Sequence, residues 1–485
     1  MWSLILRNFA SKLYPTVQSA IFDISNNSTI AIGGFGNCGV PESLISALSL
    51  KSLANLTIVS NSAGIEGHGV QILLRKRQVK RLMATYVGDN ENLFLRFYNG
   101  DLELELIPCG TLAEKLRAGG AGIPAFYTPT GVGTIISEGN FPVKIDKVTG
   151  NTSIFSEPKE VKLIDGKMCV LEESINTDFA FVKAWKGDKS GNLVYRGTAQ
   201  NFNPLVAMAG KVVIAEVEEL VEVGELDPGQ VHTPGIYVDR IVVEKYKNKI
   251  ERLTLDTGNF IVPGKGFQKL GREFILKRAG KEIKDGMYVN LAAGMPTLVP
   301  YFVQKGIKAQ FLSENGMLGI GTYPKPGFED ADIINAGKES CTETPGCSYF
   351  NIAEAFNIIR GGHLDLNIIG AMQVSTQGDI ANWLVPGKLL KGIGSHMDIS
   401  ISGSRCIVLM EHTNKVHLKI LKKCTIPVLG KQVVDLLITE LGVFDFNRPE
   451  GITLIEIAKN VNIDQISALV EGKFHVASDL KVTEI

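Results

Sequence analysis

Glu314 stands in Ser313-Glu314-Asn315-Gly316, directly after the strand-like run Gln310-Phe311-Leu312. A carboxylate at the carboxyl end of a strand, beside a turn-forming Asn-Gly, faces the crevice where open α/β sheets bind ligands. Held on a tight turn it can be aimed, kept ionised by neighbouring amides and shielded from water, which is what a carboxylate nucleophile needs. A solvent-exposed turn glutamate is the competing account. A second feature is Gly34-Phe35-Gly36-Asn37-Cys38-Gly39, a G-x-G-x-x-G run between a strand and a helix, the setting of a dinucleotide-binding loop. The next strand ends in Ser60-Asn61-Ser62, with no carboxylate for ribose hydroxyls, and Pro41 follows the loop at once. A nicotinamide-dependent oxidoreductase is therefore the disfavoured alternative, and a tight structural turn is as good a reading of the glycines. Cys406, His412, His417 and Cys424 lie close in sequence, but their spacing fits no zinc rhythm, so no metal is assigned.

The elements that position these residues form an internal repeat. In the first copy, strand Thr29-Ile30-Ala31-Ile32 enters the loop Gly33 to Pro41, a helix follows over Glu42 to Leu50, and strand Leu56 to Val59 ends at Ser60. In the second, strand Met287 to Leu291 enters Ala292-Ala293-Gly294-Met295-Pro296, a helix is expected over Thr297 to Gln304, and the next strand ends at Ser313. The step from proline to strand-end serine is 19 residues in one copy and 17 in the other. Strand, glycine loop, proline, helix and strand make a βαβ unit, so the fold class is α/β, with two related open halves. The halves are assigned to 12–252 and 268–485, joined by a Gly/Pro-rich linker over 253–267, with the catalytic glutamate in the second.

Composition fits this scheme. A chain of 485 residues, 45% hydrophobic and 21% charged, builds several cores and is not disordered. Fifty basic against 51 acidic residues leave no field to attract nucleic acid or an anionic membrane, and no apolar run reaches the length of a membrane helix. The basic cluster Arg75-Lys76-Arg77, Lys80, Arg81 reads as a solvated helix face. Seven scattered cysteines without a CxxC pair point to free thiols in a reducing compartment. The acid-free, basic, apolar start of the chain resembles a mitochondrial presequence, placed at 1–11.

Gly33-Gly34-Phe35-Gly36 through Gly39-Val40-Pro41, and Leu312-Ser313-Glu314-Asn315-Gly316, closely resemble the two signatures of the family I coenzyme A transferases. Leu112 to Gly131, Asn335-Ala336-Gly337-Lys338-Glu339, Ile359 to Trp383 and Lys431-Gln432 are similar to members that act on succinyl-CoA and 3-oxo acids. The resemblance implies a ping-pong transfer of CoA from succinyl-CoA to a 3-oxo acid such as acetoacetate, through a glutamyl–CoA thioester, in ketone-body catabolism. It implies Glu314 as nucleophile, Asn290 as a side-chain donor beside it, and Gly33, Gly34, Asn315, Gly316 and Lys338 around CoA. CoA is then a substrate and covalent intermediate, with no tightly bound cofactor; a homodimer of the mitochondrial matrix is expected. Three positions depart from the family pattern: Ser395 and His396 replace Gly-Ala, and Cys109 replaces glutamine. If position 395 needs a positive φ the serine is costly, and His396 brings a bulky ring that could carry charge. Together they imply altered acid recognition or a silent paralogue.

Overall fold

The structure, a computed structural model, describes residues 12–483 apart from 89, 247, 259–261, 264, 386–388, 415, 416 and 450; the presequence assigned to 1–11 lies outside the described residues. The first sheet contains β1 (Thr29–Ile32), β2 (Leu56–Ser62), β3 (Val79–Tyr86), β4 (Glu103–Leu106), β5 (Thr177–Asp188), β6 (Gly210–Val221) and β7 (Arg240–Val243). Their order is β7-β6-β5-β1-β2-β3-β4, and every one of these neighbours is parallel. Continuous apolar strands such as Ile30-Ala31-Ile32, buried throughout, suit a parallel sheet covered on both faces.

The second sheet runs through β8 (Tyr288–Leu291), β9 (Gln310–Ser313), β10 (Met317–Ile320), β11 (Glu343–Tyr349), β12 (Leu366–Gly370), β13 (Arg405–Leu409), β14 (Leu436–Ile438), β15 (Gly442–Asp445), β16 (Thr453–Ala458) and β17 (His475–Thr483). Its order is β11-β10-β9-β8-β12-β13-β14-β15-β16-β17. The run β14-β13-β12-β8-β9 repeats the parallel order β7-β6-β5-β1-β2 of the first sheet. The copies diverge after their last shared strand. β2 continues into a parallel neighbour, whereas β9 folds straight back on antiparallel β10, and Glu314 is in that reversal.

Helix α1 (Glu42–Leu50) follows the first glycine loop as expected. Its counterpart is instead a 3-10 helix, Met295–Phe302: Pro300 inside it removes an N–H donor that an α-helical ladder would use, whereas Pro296 sits in the first turn where none is needed. The basic cluster is likewise not one helix face: its helix ends at Arg75, and Lys80 and Arg81 belong to β3. Where the linker is expected to begin, the chain is docked on the second half, with Arg252 N–H donating to Lys338 O at 3.2 Å and Thr254 N–H to Ser340 Oγ at 3.0 Å. Between the sheets, α2 (Cys109–Gly120) of the first half packs against α3 (Ile352–Arg360) and α4 (His396–Ser400) of the second. Leu112, Phe356, Ile359, Met397 and Ile399 share one buried cluster there. Among the described residues no helix is long and apolar enough to cross a membrane.

Candidate active site

The β9–β10 pairing puts Ser313 opposite Met317, so Glu314, Asn315 and Gly316 form the turn. Each residue type has a visible reason. Gly316 has φ +103°, and a Cβ there would lie 2.0 Å from the Phe350 carbonyl oxygen. Asn315 Nδ2 donates to Ile334 O at 2.8 Å and ties the turn to the next segment. Glu314 is thereby aimed inward, only 4% exposed. The exposed-turn account is excluded.

Ser395 Oγ donates to Glu314 Oε1 at 3.0 Å, while Oε2 has no hydrogen-bond partner among the described residues. Burial pushes the Glu314 pKa up to about 7; the Ser395 hydroxyl opposes the shift and the buried Asp398 carboxylate adds to it. Asn290 pairs in register with Leu312 on β9 and is fully buried on β8, in the strand expected over Met287 to Leu291. Glu314 lies two residues beyond Leu312, so Asn290 is on the neighbouring strand, two positions short of that carboxylate. Neither amide atom of Asn290 has a partner among the described residues, and the same holds for buried Asn37 in the glycine loop. Buried amides and a carboxylate oxygen left open are groups available to a ligand.

The three departures resolve differently from one another. Ser395 has φ −92° and caps α4, so its backbone needs no glycine and the serine carries no strain. His396 is uncharged: burial pulls its pKa down to about 4, and its Nε2 meets Asn382 Nδ2 at 3.2 Å. Cys109 opens α2, is 1% exposed, and accepts from Asn61 Nδ2 at 3.7 Å; Asn61 also donates to Thr85 Oγ1 at 3.0 Å. Burial pushes the Cys109 thiol well up, with the Asp398 and Glu314 carboxylates adding to it, so it stays protonated. Ser395 bonds Glu314 directly, His396 follows it in α4, and Cys109 feels the Glu314 charge.

Lys338 occupies left-handed backbone (φ +64°), its Nζ 3.0 Å from Glu251 Oε1 and 4.4 Å from the Tyr86 ring centroid. With Arg75 and Arg252 it lines a cavity of about 800 Å³, the size of a ligand pocket. The glycine loop closes on the protein itself: a Cβ at Gly33 would lie 2.0 Å from Asn203 Oδ1, and one at Gly34 2.5 Å from Val40 Cγ2. The recess beside Gly33 and Gly34 is about 10 Å³, room for roughly one water and not for a pyrophosphate. With no acid at the end of β2, the nicotinamide reading loses its physical basis. Among the described residues no group of three metal-ligating side chains comes together.

Residues that the sequence did not single out complete the site. Asp398 lies three positions after Ser395 and is fully buried. It accepts from Gly110 N–H at 2.8 Å, Thr130 Oγ1 at 3.0 Å and Arg360 Nη1 at 3.3 Å. Gly110 and Asp398 are 288 residues apart, a separation at which no spacing pattern pairs them.

The coenzyme A transferase family model matches residues 14–244 and 272–469, one segment per sheet. The mitochondrial succinyl-CoA:3-ketoacid coenzyme A transferase 2A of Mus musculus is 44% identical over 478 residues, covering 98% of this chain and 92% of its own. The corresponding Homo sapiens enzyme 2, also mitochondrial, is 44% identical over 474 residues, 97% of this chain and 91% of that one. In Xanthomonas campestris, one of the subunits of a succinyl-CoA:3-ketoacid coenzyme A transferase is 47% identical over 53% of this chain and 98% of its own length. An Escherichia coli O157:H7 acyl-CoA transferase, solved as a thioester complex with CoA, superposes with a TM-score of 0.79 at 20% identity, over 98% of this chain and 96% of that one. A family match over both sheets and a likeness along nearly the whole length show that this chain belongs to the coenzyme A transferase family.

Proposed function

We propose that the protein moves CoA from succinyl-CoA to a 3-oxo acid such as acetoacetate, in the mitochondrial matrix, with Glu314 as covalent nucleophile. The observation that carries the chemistry is a buried glutamate with one oxygen held by Ser395 and the other open. The mouse and human relatives support the substrate pair and the compartment.

The open Oε2 attacks the thioester carbonyl; the C–S bond breaks, giving an acyl–glutamyl anhydride and CoA thiolate. The thiolate then attacks the glutamyl carbonyl, the anhydride C–O bond breaks, and succinate leaves a glutamyl–CoA thioester. Acetoacetate repeats the steps in reverse. Burial serves twice here, by stripping water from the attacking oxygen and by keeping water from two hydrolysable intermediates. Asn290 supplies an amide donor for the oxyanion that develops at each addition. The large cavity offers Lys338, Arg252 and Arg75 as donors to a substrate's anionic groups, with Glu66, Glu91 and Glu251 also in its lining.

The test is intact mass after incubation with succinyl-CoA and no acceptor acid. One CoA added per chain, discharged by acetoacetate or hydroxylamine, supports the reading; a folded protein with no adduct overturns it. Two further outcomes follow from the geometry. Asn290→Ala lowers kcat by about 10²–10³-fold, the loss seen when one oxyanion donor is removed, measured in steady-state transfer assays. The acid limb of kcat/KM lies at about 7, where Glu314 ionises. Because the Ser395 hydroxyl favours the carboxylate, Ser395→Ala moves that limb to higher pH, as a pH–rate profile will show.

A further inference from the structure

Two buried carboxylates lie close together at this site, and their hydrogen bonding differs. Glu314 has one oxygen held and one open, whereas both oxygens of Asp398 are engaged by donors from three segments. Two of these segments, Gly110 at the start of α2 and Thr130, belong to the first half; Arg360 ends α3 in the second. Asp398 itself is in the first turn of α4, whose cap is Ser395, with Ile399 N–H donating to Ser395 O at 3.0 Å. One helical turn therefore carries both the donor to Glu314 and the carboxylate that grips the first half.

The surroundings tighten the same link. Cys109 N–H donates to Gly394 O at 2.8 Å, and Gly394 N–H to Thr85 O at 3.0 Å, so the segment before Ser395 is bound to α2 and β3. At Gly110 a Cβ would lie 2.6 Å from both Arg360 Nη1 and Asp398 Oδ1, so only glycine lets the α2 N-terminus approach this closely. The charged or titratable groups facing the two carboxylates are Arg360 and the Cys109 thiol.

We infer that Asp398 is a positioning residue for CoA transfer: by pinning the α2 N-terminus of the first half to the Ser395 turn of the second, it holds Ser395 against Glu314. The inference rests on Glu314 being the nucleophile. In Asp398→Asn, Oδ1 keeps Thr130 and Arg360 while the new NH₂ faces the Gly110 N–H, so the contact across the halves turns repulsive. Asp398 also sets the field at Glu314, because its negative charge opposes ionisation of the nucleophile.

The experiment is single-turnover formation of the CoA adduct from succinyl-CoA, followed by mass and by pH. Asp398→Asn slows adduct formation about 30-fold per folded molecule, as a misplaced catalytic contact does, with KM for succinyl-CoA changed less than about threefold. Its acid limb moves to higher pH, because releasing the Ser395 hydroxyl outweighs removal of the opposing Asp398 charge. Thr130→Val removes one donor and no charge; it slows the step about fivefold, the size of one hydrogen bond, and leaves the acid limb in place. A lowered thermal midpoint with unchanged rate and unchanged acid limb in Asp398→Asn overturns the inference. If that variant does not fold, a wild-type rate in Thr130→Val overturns it. Absence of any adduct in the wild-type protein is a different failure, that of Glu314 as nucleophile.

Discussion

Glu314→Gln abolishes the CoA adduct and lowers transfer by at least about 10⁴-fold, since an amide nitrogen or carbonyl oxygen does not replace an anionic nucleophile. The same substitution makes the protein more stable at alkaline pH. The folded carboxyl titrates at about 7 against an ordinary 4.5, because burial penalises its charge. Being an acid with a raised folded pKa, it is favoured by folding while protonated. Its contribution is full below about 4.5, falls as pH rises to about 7, and is level beyond. The neutral glutamine keeps an acceptor for Ser395 and escapes that loss, so at pH 8 the variant gains about 2 kcal/mol after allowance for one buried N–H without a partner. Near pH 4 only the cost of the unpartnered N–H remains, and the variant is the less stable by about 1 kcal/mol. Urea titrations at the two pH values, alongside mass spectra after succinyl-CoA, check both halves of the expectation. Equal stability at pH 8 means the glutamate is solvated and not the buried group described above.

Gly316→Ala has the second largest effect. The residue sits at φ +103°, which side-chain-bearing residues avoid, and its Cβ would overlap the Phe350 carbonyl oxygen at 2.0 Å. The contact is not idle, since Phe350 N–H donates to Gly316 O at 3.0 Å and fastens the reversal to the segment before α3. Backbone strain and displacement of that carbonyl together cost about 3–5 kcal/mol. The loss falls on the turn that aims Glu314, so activity drops more than global stability does. Thermal unfolding and adduct yield per folded molecule separate the two. A variant with wild-type stability and wild-type adduct yield shows that the turn adapts.

Much of this was legible before any coordinates, for a physical reason. The strand, glycine-turn, proline rhythm is local, so it survives in sequence, and it located both the paired sheets and the turn bearing Glu314. Asn315 and Gly316 announced the reversal by residue type alone. Three things lay beyond local pattern. Asp398 acts through Gly110, Thr130 and Arg360, contacts between segments that only the folded chain brings together. The charge on His396 depends on burial, which leaves the ring neutral where a sequence shows only an ionisable residue. The acceptability of Ser395 rests on a backbone angle, φ −92°, that residue identity does not reveal. Two local signals were misjudged: Pro300, visible inside the expected helix, and the basic cluster, whose Lys80 and Arg81 lie on β3.

The docking of α2 on α3 and α4 bears on how this site responds to dilution. Cys109, Gly110 and Thr130 come from one half and Glu314, Ser395 and Asp398 from the other, yet all belong to a single polypeptide whose linker is itself fastened beside Lys338. Tethering by a short segment holds partner surfaces at an effective concentration of about millimolar. The residues described here therefore meet in fixed one-to-one stoichiometry at any protein concentration. In the Xanthomonas campestris relative, the part that matches the first half is a separate subunit. Covalent continuity thus replaces an association equilibrium, and a cut in the linker would restore one.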